Sequence, residues 1–360
     1  MNIADKLKSR DNNFDFLRFL AATLVIFSHS FALTAKTYDP YLLLTHYATF
    51  GIVAVNIFFI LSGFLITKSW LDNPKIFIYL KKRILRIMPG LFVAVMFTIF
   101  VIGPIATTMS MREYFHNPVT KEYFSNAYLS INFYLPGVFE TNLYKNGVNG
   151  SLWTLPIEFK LYMLVLALGI IRLFYKRIII LILGVSVFVY GAVNLLLPAL
   201  YNLDPTQQDY LRCAVYFSMG ITMYIFRDKI KFSKKILVVA LIFFLASFQS
   251  KYGSTISYLT LPYIMLYIGL LKTSAFNIFS KYGDFSYGLY IYAFPVQQTI
   301  VHLSKNNISV AGLFLSAFLV TLFLAICSWN LIEKPFMKLK SVNFRSLIGG
   351  YVFRYLDKLD

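Results

Sequence analysis

Apolar residues fall in long blocks separated by short polar connections, and the blocks set the architecture. A helix needs roughly 20 apolar residues to cross the hydrocarbon core of a bilayer. On that measure spans are predicted over 14–35, 50–69, 87–108, 151–172, 177–197, 210–226, 235–250, 254–271, 284–303 and 308–331. The seventh is short, and 124–139 reads as an additional interfacial or re-entrant piece. Lys6, Lys8 and Arg10 precede the first block as they would in a secretory signal. The block is longer than a signal core and no small-x-small cleavage site follows, so it reads as an uncleaved first span. The expected fold is all-α: a polytopic transmembrane helical bundle of about ten helices. It forms one domain over 1–340, with a short cytoplasmic tail over 341–360.

Charge gives the bundle a direction. The chain carries 34 Lys+Arg against 16 Asp+Glu, a net +18. In a soluble protein that balance would point to nucleic acid. Here hydrophobic residues make up 58% and charged residues 14%, and the cations cluster between apolar blocks, so no nucleic-acid partner is expected. With the N-terminus inside, 25 Lys+Arg fall in inner connections and 6 in outer ones, with Arg18, Lys160 and Arg212 in spans. That asymmetry places both termini in the cytoplasm. Met109 to Gly150 is then one long outer segment, and its aromatic content argues for packing at the outer interface. Cys213 and Cys327 both lie in apolar blocks and specify neither a metal site nor a disulfide framework.

Ionisable residues inside spans are costly and are functional candidates by default. Arg18 and His29 share the first helix; eleven residues bring them to within about 20° of one face, roughly 16 Å apart. Arg18 has Asp15 at i−3 as a structural partner. Glu158 follows the turn Asn149-Gly150-Ser151, in which Ser151 is a candidate helix cap and Pro156 a disturbance of the early helix. Counted from the membrane faces, His29 and Glu158 reach a similar depth, which suits a general acid/base pair. The plain alternative is a structural pair or a proton relay. Arg83 and Arg86, one helical turn apart, suit a multiply charged phosphate; alternatively they mark topology or meet anionic lipid heads. Phe58 to Leu65 places Ser62 and Gly63 where helices would approach closely.

Taken in order, these segments resemble the membrane-bound acyltransferase-3 family from about Phe14 to Pro335. Arg18 and His29 fit its Arg-x10-His pattern. Gly51 to Leu65, Arg83-x-x-Arg86-x-x-Pro89 and Ser151-Leu152-Trp153 through Glu158 are similar to its next motifs. Gly283-x-x-Ser286-Tyr287-x-x-Tyr290 and Glu333-Lys334-Pro335 resemble its last two. Where many members have His-x-Pro, this chain has Ala293-Phe294-Pro295, so no role carries over there.

The resemblance implies an O-acyltransferase with acyl-CoA, commonly acetyl-CoA, as cytoplasmic donor and no permanently bound cofactor. It implies a carbohydrate acceptor, a polysaccharide or lipid-linked glycan such as O-antigen or capsule. It also implies the bacterial cytoplasmic (inner) membrane, with lipids as surroundings. Arg18, Arg83 and Arg86 would hold the donor phosphates; His29 would act as base, with Glu158 orienting or charge-balancing it. The rival class is a transporter or flippase for a glycan or a proton-coupled solute, for which intramembrane Arg, His and Glu would serve equally.

Overall fold

The structure is a computed structural model describing residues 1–9, 12–145, 147–196, 203–271 and 283–341. Among these no β-strand occurs. The long helices are α1 (Phe14–Thr34), α2 (Phe50–Asp72), α3 (Ile76–Phe97), α4 (Thr154–Ile170) and α5 (Arg177–Leu196). They continue as α6 (Pro205–Ile225), α7 (Lys234–Ala246), α8 (Gly253–Gly269), α9 (Ser286–Leu303) and α10 (Val310–Ser328). Among the described residues five stretches are long and apolar enough to cross a membrane: Phe14–Thr34, Phe50–Asp72, Ile76–Ala106, Gly150–Ile170 and Val310–Lys338. The expected tail 341–360 lies almost wholly outside the described residues.

The exterior is apolar as well as the core. No residue of α7 is buried, and Leu315, Leu319 and Phe323 of α10 are exposed. Such a surface is stable against hydrocarbon and not against water. Inside, α2 packs between α1 and α6, and glycine sets the approach. A Cβ on Gly63 would lie 2.1 Å from the Phe217 carbonyl oxygen, and one on Gly220 would lie 2.3 Å from that of Ile60. This is the close crossing that small residues in α2 predict.

The third helix departs from expectation. It begins at Ile76, eleven residues before the predicted start, so Lys81, Lys82, Arg83 and Arg86 ride on a helix and not on a connection. Asn73 is extended ahead of Pro74 and stops α2. After it, Ile76, Tyr79, Leu80 and Ile87 recur at helical spacing and pack on the core. Pro89 is accommodated inside the helix. Two π-turns extend α3 and α10, over Thr98–Ile102 and Trp329–Glu333, closed by the N–H groups of Gly103 on Thr98 and of Lys334 on Trp329. Pro104 and Pro335 follow them. Proline has no N–H to donate to the carbonyl four residues back, and the backbone widens to the five-residue bond.

One end of the bundle gathers the cation-rich segments. The N-terminal segment Ile3–Lys6 bonds the turn after α6, Ile3 N–H to the Ile230 carbonyl at 3.1 Å. Arg177 at the start of α5 pairs with Asp228 in that turn at 2.8 Å. The opposite end holds the segment after α3. It contains short helices Met111–His116 and Pro118–Glu122 and a 3-10 turn, Tyr123–Tyr128. Between Tyr128 and Gly150 no further helix forms among the described residues. Amide side chains stitch this stretch to α9: Asn142 to Gln298 at 2.9 Å, and Gln298 to the carbonyls of Tyr144 and Gly147 at 2.8 Å.

Candidate active site

A cavity of about 460 Å3 opens between α1, α2, α3, α4 and α9. Its polar lining includes Asp15, Arg18, Arg83, Arg86, Glu158, Asp284 and Lys340. The structure thus brings Arg18, Arg83, Arg86 and Glu158 to one space. His29 is not among the lining residues.

Arg86 is held from two sides. Its Nη2 lies 2.5 Å from Asp284 Oδ2, and its Nη1 lies 3.0 Å from Glu333 Oε2. The guanidinium also stands over the rings of Tyr287 and Trp329, 5.4 and 6.0 Å from their centres. Ser328 donates to the other Glu333 oxygen at 3.0 Å, and the hydroxyl and N–H of Ser286 donate to Asp284. The π-turn explains how Glu333 reaches inward, since it resets the phase of the helix end. Arg18 pairs with Asp15 at 3.4 Å, as the i−3 spacing indicates, and approaches Asp284 at 4.0 Å.

Arg83 is different. It stands over Tyr79 and Tyr162, 5.8 and 5.7 Å from the ring centres, and its buried Nε has no partner. Lys340, just past the short helix Lys334–Lys338, lines the same cavity. Burial, reinforced by the charges of Arg86, Arg83 and Lys82, pushes its ammonium down to about 8.

Glu158 is not the partner of His29. Its Oε1 accepts from Ser62 Oγ at 3.0 Å and from the Tyr162 hydroxyl. His29 packs edge-on against Phe294, with ring centres 5.0 Å apart, and its buried Nδ1 has no partner. The neighbouring Ser28 lies against Gly51 on α2, eleven residues and roughly 16 Å along that helix from Ser62. The expected common depth of the two groups is therefore corrected: they sit about three helical turns apart. Apolar length alone does not fix the relative height of two helices, which depends on how they pack. Asn149, not Ser151, is the cap. Asn149 accepts from the Ser151 N–H at 3.2 Å, while Ser151 Oγ is buried without a partner. Pro156 falls in the first turn of α4, where its missing N–H costs nothing.

Sequence reasoning missed Asp284, Tyr162 and Lys340, read Ser62 only as a helix-packing position, and gave Glu333 no role beyond a motif. Asp284 and Glu333 carried a signal, as carboxylates at the edges of apolar blocks. Lys340 carried none beyond its charge. Of the other two cations within spans, Lys160 stands over the Tyr210 ring, 5.3 Å from its centre, and Arg212 pairs with Asp209 at 2.8 Å and lines a separate cavity of about 240 Å3 with Asn56, Tyr216 and Tyr258.

Fold and site together define an all-helical membrane protein with a cation-lined cavity between its helices. The acyltransferase-domain family matches residues 11–330, and the chain belongs to it: this is an acyltransferase. It is 34% identical over 339 residues to an O-acetyl transferase of Shigella phage Sf6, covering 91% of this chain and 96% of that protein. It is 27% identical over 359 residues to Nodulation protein 10 of Rhizobium leguminosarum bv. viciae, covering 92% and 94%. No solved structure gives a significant match.

Proposed function

We propose that the protein transfers an acetyl group from cytoplasmic acetyl-CoA to a hydroxyl of an extracytoplasmic or lipid-linked carbohydrate, such as O-antigen or capsule. The observation that carries this reading is the cavity lined by Arg18, Arg83, Arg86 and Lys340 in a chain of the acyltransferase family. The name of the phage relative supports acetyl and oxygen as group and acceptor atom.

The cavity lies at the end of α1 and α3 that carries the cations. The positive-inside asymmetry assigns that end to the cytoplasm, with both termini, about ten spans and one domain over 1–340 in a bacterial inner membrane. Donor phosphates would sit there, and the pantetheine arm would run past Glu158, Ser62 and Tyr162 toward the far half of α1. His29, roughly 16 Å beyond Arg18 along that helix, would take the proton from the acceptor hydroxyl. The oxygen attacks the thioester carbonyl, the C–S bond breaks, and the thiolate leaves with the proton returned by the imidazolium. Glu158, bonded to Ser62 and Tyr162, would offer an acceptor to the amides of the arm and would not orient the base.

The test is release of free CoA thiol from acetyl-CoA by the purified protein, dependent on added surface glycan. Mass spectrometry of that glycan from cells with and without the gene should show an acetyl group only where the gene is intact. Thiol release that ignores the glycan, with no change in its mass, would overturn the proposal.

A further inference from the structure

The cations around the cavity divide into two kinds. Arg86 has both terminal nitrogens on carboxylates, Asp284 and Glu333, and Arg18 has Asp15. Arg83 and Lys340 have no carboxylate partner and no hydrogen bond among the described residues. Arg83 is nonetheless drawn inward, its Nε buried and unpartnered and its plane set against two tyrosines. Arg83 and Lys340 are both half-buried, and a cation withdrawn from water without a counter-ion is costly. Burial and then the charges of Arg86, Arg83 and Lys82 lower the proton affinity of Lys340, with Asp284 acting against them. Asp284, the carboxylate whose charge bears on Lys340, is already held by Arg86, and an anion of more than one charge would relieve the remaining cations.

Resting on the acyl-CoA reading above, we infer that Arg83 and Lys340 are the pair that binds the donor's phosphate groups, whereas Arg86 is a structural clamp. Lys340 comes from the segment beyond α10 and Arg83 from α3, so a bound polyphosphate bridges two parts of the chain distant in sequence. Tyr79 and Tyr162 hold Arg83 in place, and the Tyr79 hydroxyl is itself fixed on the Tyr162 carbonyl at 2.9 Å. The ligand class is a nucleotide carrying a diphosphate.

The experiment is calorimetric binding to the full-length protein in lipid nanodiscs, with CoA and acetyl-pantetheine as probes. The second probe has the arm but lacks the nucleotide diphosphate. Arg83→Gln and Lys340→Gln should each raise the Kd for CoA about tenfold or more at low salt. Neither should change the affinity for acetyl-pantetheine, and Lys340→Arg should recover most of the CoA affinity. Wild-type CoA affinity in both Gln variants would overturn the assignment while leaving the donor reading intact. Equal weakening toward both probes would overturn it too, since that marks a distorted cavity. No CoA binding by the unaltered protein would sink the donor reading and this inference together.

Discussion

The Arg86 guanidinium and the Glu333 carboxylate meet at 3.0 Å across 247 residues of sequence. Glu333 is 1% exposed, so the contact locks α3 against the π-turn that ends α10. Asp284 adds the entrance of α9 to the same nitrogen fork. Three separate segments are thus tied at the mouth of the cavity.

Breaking this clamp from one side leaves a buried carboxylate unpaired. Arg86→Ala should destabilise the protein by roughly 3–5 kcal/mol, read as a lower thermal midpoint in detergent. Adding Glu333→Gln should restore part of the loss, because the two changes remove one shared interaction. Additive losses would show that the pair is not coupled.

The α2–α6 crossing tolerates no side chain at Gly63. Gly63→Ala places a methyl group 2.1 Å from the Phe217 carbonyl oxygen, and overpacking of this sort costs about 1–3 kcal/mol or more. The yield of monodisperse protein should drop. Gly312→Ala, whose nearest neighbours are the flexible side chains of Ser309 and Ile308, should behave much like the parent. Equal yields for the two variants would contradict the observed crossing.

His29→Ala should lower acetyl transfer by a factor of about 10² to 10⁴, the usual cost of losing a general base. Its Nδ1 has no hydrogen-bond partner among the described residues, so expression and CoA affinity should hold. Transfer at the parent rate would remove His29 from the mechanism.

Orientation is checked with single cysteines in a background carrying Cys213→Ala and Cys327→Ala. Glu140 and Lys229 are both exposed, at opposite ends of the bundle. An impermeant maleimide should label Glu140→Cys on intact cells, and Lys229→Cys only after permeabilisation. The reverse pattern would invert the topology and place the cation-rich cavity outside.

Much of the fold was readable because its causes are local. The length of an apolar block, a proline after an asparagine, and glycines within α2 each act over a turn or two of chain. The predicted start of α3 failed because it was set by apolar length alone. The helix actually follows periodicity, which continues through Lys81, Lys82 and Arg83. The sequence alone also gave the family, through the order of short motifs from Arg18 to Pro335, and singled out Arg18, Arg83, Arg86 and Glu158, which do share a cavity. Which cation is spent on a carboxylate was a matter for tertiary structure. Arg83 and Arg86 look alike in sequence, three residues apart on one helix. Only Arg86 meets Asp284 and Glu333, which arrive from 198 and 247 residues away. Glu158 likewise met Ser62 and Tyr162 and not His29, because the relative depth of two helices depends on how they pack and tilt. That information belongs to the bundle as a whole, and no single span carries it.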